Sequence, residues 1–191
     1  MTSSSDNDNN LATKSRLAGF KNKIPPFNLA DSSNPDTIRY DCVVLDLDGS
    51  LVYSSDENEG DGLCIKYIDS DGEPSEIWVH KRPGFDEFLV KCFEKATVGV
   101  WSMGQPGYVE AVVALFPQRP LFVYNWCNCD RSPGRIFKRL NNIPYIGNIV
   151  MVDDCPDILE ESERVDTLII PEWSPDELDD RALYEIMCKL F

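Results

Sequence analysis

An α/β domain, built on a parallel β-sheet flanked by helices, is the fold class this sequence predicts. Three observations carry the prediction. Short apolar runs of β-forming residues (Val43-Val44-Leu45, Thr97-Val98-Gly99-Val100-Trp101, Leu121-Phe122-Val123-Tyr124, Ile149-Val150-Met151-Val152 and Thr167-Leu168-Ile169-Ile170) read as strands buried on both faces. Between them lie stretches whose apolar residues recur at helical spacing, and this alternation implies parallel strands with crossover helices in a doubly wound arrangement. Three of the runs end in polar groups: Asp46 with Asp48, Ser102, and Asp153 with Asp154. Open α/β sheets place their sites at such strand ends.

Composition fits one folded domain with a tail, with 42% hydrophobic and 27% charged residues in a chain of 191. The net charge of -15 argues against a nucleic-acid partner, because phosphate contacts need clustered Lys and Arg. Residues 1–40 carry a net +1 and the remainder -16, so the acidity belongs to the folded part. No apolar run approaches the roughly 20 residues of a membrane span. Met1–Asn10 lacks the hydrophobic region of a signal peptide. Seven cysteines, an odd number with several inside apolar segments, read as free thiols in a reducing compartment. The expectation is an intracellular monomer without a membrane partner.

In chain order, residues 1–37 are rich in Ser, Asn, Asp and Pro and read as a mostly disordered lead. Within it, Ile24-Pro25-Pro26-Phe27 is the stretch suited to pack on the domain of residues 38–191. The first strand closes at Asp46, and a loop follows around Ser54–Glu57. Cys64–Ile68 and Glu76–His80 flank Asp69-Ser70-Asp71-Gly72, which predicts a β-hairpin. Pro83 opens a helix through Phe85, Phe88, Leu89, Cys92 and Phe93, and Pro106 opens a second through Val109, Val112, Val113 and Phe116. Residues 125–134 read as a loop, with a short helix over Ile136–Leu140. Ser174-Pro175-Asp176-Glu177 predicts a capping box, with Pro at the first position of the last helix.

Parallel strands bring their carboxyl ends to one edge, so Asp46, Asp48, Ser102, Asp153 and Asp154 should converge. Four acids together repel unless a cation compensates. Hard oxygen donors without a histidine cluster favour Mg²⁺ over zinc or copper. A carboxylate beside such an ion can attack phosphorus, and a second carboxylate two residues on can move the proton.

Asp46-Leu47-Asp48-Gly49-Ser50-Leu51 resembles the DxDx(T/S)L signature of the haloacid dehalogenase superfamily. Within it, the chain is similar to the phosphatases of the RNA polymerase II carboxy-terminal domain, the NLI-interacting-factor-like or small CTD phosphatases. The matching pieces are Leu45–Ser55, the hairpin leading into Lys81–Leu89, Val100-Trp101-Ser102 with Tyr108, Val152–Pro156, and Ile169–Leu178. The resemblance implies a haloacid dehalogenase-like (Rossmannoid) sheet with a β-hairpin after the first strand and a short insert at residues 117–137. It implies Asp46 as nucleophile, Asp48 as general acid/base, Ser102 as a phosphoryl contact and Lys138, or else the adjacent Arg139, as the cation that offsets charge on phosphorus. It also implies Mg²⁺ held by the Asp46 side chain, the Asp48 backbone carbonyl and Asp154, with Asp153 in support. The implied substrate is a phosphorylated Ser/Thr peptide or protein, the polymerase tail among them, and the implied location is nucleus or cytoplasm. Gly49 stands where these phosphatases often carry Glu, a variable position.

Other readings compete. Cys127, Cys129 and Cys155 could suggest zinc, but the one-residue gap is not that of a zinc knuckle. Cys129 and Arg135 have the spacing of a cysteine-phosphatase loop without its glycine-rich cradle. His80 reads as structural, and Lys81 and Arg82 read as either a phosphopeptide contact or a solvated strand end. Trp78, Trp101, Trp126 and Trp173 read as core or pocket wall. Two rival functions remain: a non-catalytic peptide-binding module of the same fold, and a small-molecule phosphatase of the superfamily.

Overall fold

A computed structural model describes residues 40–57, 60–177 and 179–191. The lead expected over residues 1–37 lies outside them. The elements in chain order are β1 (Cys42–Leu45), β2 (Val52–Ser55), β3 (Leu63–Ile68), β4 (Pro74–Lys81), α1 (Phe85–Lys95), β5 (Thr97–Trp101) and α2 (Pro106–Val113). They continue with β6 (Phe122–Tyr124), β7 (Asp130–Ser132), β8 (Arg135–Arg139), β9 (Ile149–Asp153), β10 (Leu159–Glu160), β11 (Val165–Ile169) and α3 (Ala182–Leu190). No helix among the described residues is long and apolar enough to cross a membrane.

The five expected strands form one parallel sheet in the order β11-β9-β1-β5-β6. Side chains alternate between its faces with period two. Val43, Leu45, Val98, Val100, Val150 and Val152 turn to one face, where Phe85, Phe88, Leu89, Val109, Val112, Leu183, Ile186 and Leu190 of the three helices cover them. Cys42, Val44, Trp101, Ile149 and Met151 turn to the other, which Cys129, Leu140 and Ile143 cover. That second cover is made of loops and short 3-10 turns.

The register aligns the strand ends. Leu45 lies between Val100 and Val152, so the next residues, Asp46, Trp101 and Asp153, stand level at the carboxyl edge. Two smaller three-stranded sheets flank this edge, β2-β4-β3 and β10-β8-β7. The hairpin β3–β4 forms as expected. The loop expected around Ser54 is instead strand β2, which pairs antiparallel with β4 from Val52↔Lys81 to Ser55↔Trp78.

Two further expectations are corrected. The segment Ile136–Leu140 is a strand followed by a 3-10 turn at Leu140–Asn142, not a helix. The reason is local: Pro133-Gly134, with Gly134 at φ 77, turns the chain back so that Arg135 pairs with Ser132. The insert therefore does not span 117–137, since β6 (Phe122–Tyr124) belongs to the central sheet; it is the short hairpin of β7 and β8, which makes a small sheet with β10. The last helix begins at Ala182, eight residues after Ser174. Ser174–Glu177 is a turn closed by the Glu177 N–H to the Ser174 carbonyl at 3.1 Å, and Asp180 accepts the Ala182 N–H at 3.2 Å.

Arg82 explains why Asp180 stays outside the helix. It is neither a phosphopeptide contact nor a solvated strand end, being only 1% exposed. Its Nε and Nη2 donate to the Asp180 carboxylate at 2.9 and 2.7 Å, and Nη1 donates to the carbonyls of Ser50 and Pro171, each at 2.9 Å. Lys81 instead pairs with Asp86 at 2.7 Å on the surface. Removing one partner of a buried pair leaves an uncompensated charge, so Arg82→Ala should cost about 3–5 kcal/mol of stability in urea unfolding. Arg82→Met with Asp180→Leu removes both charges and should cost less than the single change.

Candidate active site

The site begins with β1. Three apolar residues carry the backbone to the sheet edge, and the Asp46 N–H still donates to the Val152 carbonyl at 3.0 Å. The chain then folds tightly: Leu51 and Val52 both donate to the Leu47 carbonyl, at 2.8 and 3.0 Å, and Gly49 donates to Val52 at 2.9 Å. Gly49 sits at φ 75, a left-handed backbone that other residues adopt at a cost. A Cβ there would lie 2.8 Å from Asp154 Oδ2, so in this chain position 49 is confined rather than freely variable. From behind, the Arg82 guanidinium holds the Ser50 carbonyl, and the Trp173 N–H holds the Gly49 carbonyl at 2.9 Å.

The two carboxylates of the motif face different partners. Asp46, 6% exposed, accepts a hydrogen bond from Lys138 Nζ at 2.6 Å. The same Nζ donates to Asp153 Oδ2 at 2.6 Å, and Lys138 is fully buried. Asp48 points elsewhere, with its Oδ1 accepting from Ser54 Oγ at 3.0 Å and from the Tyr108 hydroxyl. Ser54 Oγ and Tyr108 Oη lie 2.5 Å apart. Asp154 accepts from Ser50 Oγ at 2.9 Å, while Asp153 Oδ1 accepts the Cys155 N–H at 2.9 Å. Ser102, 1% exposed, accepts the Gly104 N–H on Oγ at 2.9 Å.

These groups line one cleft of about 130 Å³, bounded by Asp46, Asp48, Ser102, Met103, Asp153, Asp154, Cys155 and Ile158. A larger depression of about 400 Å³ lies on the β3–β4 hairpin and holds none of them. One carboxylate oxygen from each of Asp46, Asp153 and Asp154 lies within 4.8 Å of the others. The Asp48 side chain is outside that cluster.

Three carboxylates face one lysine, so negative charge is in excess. Burial pushes the Asp46 carboxyl up to about 8; Lys138 pulls it down, and Asp153 and Asp154 push it up. Burial likewise raises Asp153. Burial alone would lower Lys138, but Asp46 and Asp153 outweigh it and hold the ammonium above its ordinary value. Asp48 is raised by burial although the Tyr108 and Ser54 hydroxyls pull it down. Tyr108, buried beside Asp48, is raised as well.

All five strand-end residues expected at the site are brought together, and Lys138 joins them. Arg139, its neighbour, turns the other way to Asp130 and to Glu160 at 3.4 Å. Sequence reasoning missed Ser54, which sits in the unforeseen strand β2, and noted Tyr108 without a partner. The alternation Val52-Tyr53-Ser54-Ser55 against the hairpin was the available signal. Cys129 is buried against Met103 Sδ at 3.3 Å, and burial pushes its thiol up, which suits neither a thiolate nucleophile nor a metal ligand. Arg135 donates to the Asp157 carbonyl at 2.7 Å. His80 is buried in β4 near Tyr53, with ring centroids 6.3 Å apart.

The raised Asp46 carboxyl has a stability consequence. Its folded value lies above the unfolded one, so the favourable protonated form is lost as pH climbs from the carboxylate range toward about 8. Metal-free Asp46→Asn should therefore melt higher than wild type at pH 8, by on the order of 1 kcal/mol or about 2–4 °C. The gain should shrink as pH falls and vanish below about pH 4, where Asp46 is protonated in the folded and unfolded chain alike; thermal melts across that range check it.

The sequence profile of the NLI interacting factor-like phosphatases matches residues 41–190. Phosphatase Herzog of Drosophila melanogaster is 30% identical over 118 residues, covering 60% of this chain and 34% of that protein. CTD small phosphatase-like protein 1 of Caenorhabditis elegans is 27% identical over 134 residues, covering 65% and 26%. The human CTD small phosphatase-like protein is 27% identical over 118 residues, covering 60% and 43%. The chain thus spans less than half the length of these relatives. The structure of Fcp1, an essential RNA polymerase II CTD phosphatase, shares the fold at a TM-score of 0.54 and 18% identity, over 71% of this chain and 42% of that one. With the profile covering the whole domain from β1 to α3, this chain belongs to the NLI interacting factor-like phosphatase family.

Proposed function

We propose that this chain is a Mg²⁺-dependent phosphatase of phosphorylated Ser/Thr proteins that works through an aspartyl-phosphate on Asp46. One observation carries the reading: two carboxylates two residues apart hold opposite environments at one cleft. Asp46 faces a buried ammonium, and Asp48 faces two hydroxyls. Separate environments give paired carboxylates separate roles.

Asp46 attacks phosphorus through a carboxylate oxygen. The ester P–O bond breaks, its electron pair goes to the leaving oxygen, and that oxygen takes the proton from Asp48. Water then attacks the acyl phosphate, gives a proton to Asp48, and releases phosphate as Asp46 is regenerated. Lys138 lowers the charge on Asp46 and on the phosphoryl oxygens. Ser102 Oγ accepts from Gly104, which leaves its O–H to donate to a phosphoryl oxygen.

The donor set suits a divalent hard cation. It is all oxygen, three carboxylates lie within 4.8 Å of one another, and one lysine does not balance them. Asp46, Asp154 and the Asp48 carbonyl would hold Mg²⁺, with Asp153 beside them. Bound there, it would supply positive charge that keeps Asp46 ionised at neutral pH.

The protein substrate rests on relatives, one of which, from Encephalitozoon cuniculi, is named as a C-terminal domain phosphatase of RNA polymerase II. The polymerase tail is accordingly one substrate to test, and nucleus or cytoplasm is the proposed location. Hydrolysis of p-nitrophenyl phosphate should require Mg²⁺, fall to background in Asp46→Asn, and drop about 10²–10⁴-fold in Asp48→Asn. Tyr108→Phe removes a hydrogen bond that lowers Asp48, so the alkaline limb of kcat/KM should move to higher pH. Activity that survives EDTA or Asp46→Asn overturns the mechanism. Phosphoserine peptides compared with a panel of phosphometabolites decide between a protein and a small-molecule substrate.

A further inference from the structure

The short insert carries a cation that this chemistry does not use. We propose that Arg131, at the rim of the Asp46 cleft, binds an anionic group of the substrate two or three residues from the phosphorylated side chain. The preferred substrate is then an acidic or multiply phosphorylated peptide. The inference rests on the protein-phosphatase reading above.

Strand geometry sets the position. Arg131 of β7 stands directly opposite Ile136 of β8, and cross-strand partners share a face. Lys138, two residues along β8, shares that face as well. One face of the insert therefore presents Lys138 at the base of the cleft and the pair Ile136–Arg131 one step further out, roughly 7 Å along the strand. Burial follows the same order, since Lys138 is fully buried, Ile136 is 42% exposed and Arg131 is exposed.

The other arginines of the insert are engaged. Arg135 and Arg139 flank the Phe137 ring on the opposite face, at 5.3 and 5.4 Å. Arg139 pairs with Asp130 and Glu160, and Arg135 holds the Asp157 carbonyl. Arg131 has no ion-pair partner among the described residues. Its guanidinium carbon stands 6.0 Å from the centroid of the Trp126 ring, at the outer range of a cation–π contact. Trp126 is itself 38% exposed. It is tied to the cleft wall through its backbone, because the Trp126 backbone N–H donates to the Gly104 carbonyl at 3.1 Å and the Gly104 N–H donates to Ser102 Oγ. An aromatic plane thus supports a guanidinium whose fork of donors is open to solvent.

The surrounding charge defines the ligand. In a chain of net charge -15 with a carboxylate cleft, an acidic peptide is repelled unless a cation meets it near the mouth. A guanidinium engages a carboxylate or a phosphate bidentately. An extended peptide advances about 3.3 Å per residue, which places that group two or three residues from the phosphate.

Matched phosphoserine peptides carrying Glu, a second phosphoserine, Ala or Lys at those positions test the proposal, with kcat/KM measured for wild type and Arg131→Glu. Wild type should prefer the Glu or doubly phosphorylated peptide over Ala by about 5-fold, chiefly through KM, with the preference shrinking at about 0.5 M salt. Whichever of the two anionic peptides is favoured more names the anion. In Arg131→Glu the order should reverse toward the Lys peptide; a merely structural arginine would leave the ratio unchanged. Equal kcat/KM across the peptides, or an unchanged ratio in the variant, overturns the inference and leaves the phosphatase reading intact. Hydrolysis of p-nitrophenyl phosphate with no peptide hydrolysed overturns the protein-substrate reading and this inference with it.

Discussion

The buried ammonium of Lys138 between Asp46 and Asp153 is the interaction on which the rest of this structure depends. Parallel register brings the two carboxylates level at the edge of the sheet, where both are almost wholly removed from water. Buried carboxylates without a cation would cost several kcal/mol each. Lys138 meets both at 2.6 Å, and it arrives on a strand of the insert rather than on the central sheet. The insert is thereby pinned over the second face of the sheet, where Leu140 and Ile143 continue into its core. Charge compensation and packing are one arrangement here.

A second buried cation, Arg82, makes an instructive contrast. Its donors are taken up by Asp180 and by the carbonyls of Gly49, Ser50 and Pro171, and the pair is closed to solvent. Lys138 lies under an open cleft, faces more negative charge than it neutralises, and leaves Asp154 to Ser50. One cation is saturated and braces the Leu47–Val52 turn from behind. The other falls short of balance, the condition that the proposed divalent cation would relieve. The division between scaffold and chemistry is therefore visible in hydrogen-bond satisfaction alone.

The insert would link the proposed chemistry to the proposed recognition because its two strands, β7 and β8, share a face. The residues of β8 alternate, so Lys138 reaches the cleft while Arg135, Phe137 and Arg139 build the outer face. The small sheet of β7, β8 and β10 has few side chains on its inner face. In the proposed reading those few, with Met103 and Trp126 beside them, form the rim that a substrate meets first. Three of the four tryptophans are buried or partly buried; Trp126 is the exposed one, and it lies at this rim.

By itself the sequence determined the parallel sheet, its strand-end acids and the hairpin, because those depend on signals a few residues long. Apolar runs ending in Asp, a turn-forming Asp69–Gly72 and Pro106 opening α2 are read locally, whereas α1 opens at Phe85, two residues past Pro83. The same locality made Ile136–Leu140 look helical and Ser174–Glu177 look like a cap, since five-residue patterns are ambiguous between helix and strand. Tertiary structure alone decided that Lys138 reaches Asp46 across 92 residues, that Arg82 is buried on Asp180 across 98, and that Asp48 turns from the acid cluster to Tyr108 across 60. A buried charge seeks whichever partner the fold brings near. No spacing along the chain announces that partner, so the acids were legible in the residues themselves, Lys138 only through the family resemblance, and the partners of Arg82 and Tyr108 not at all.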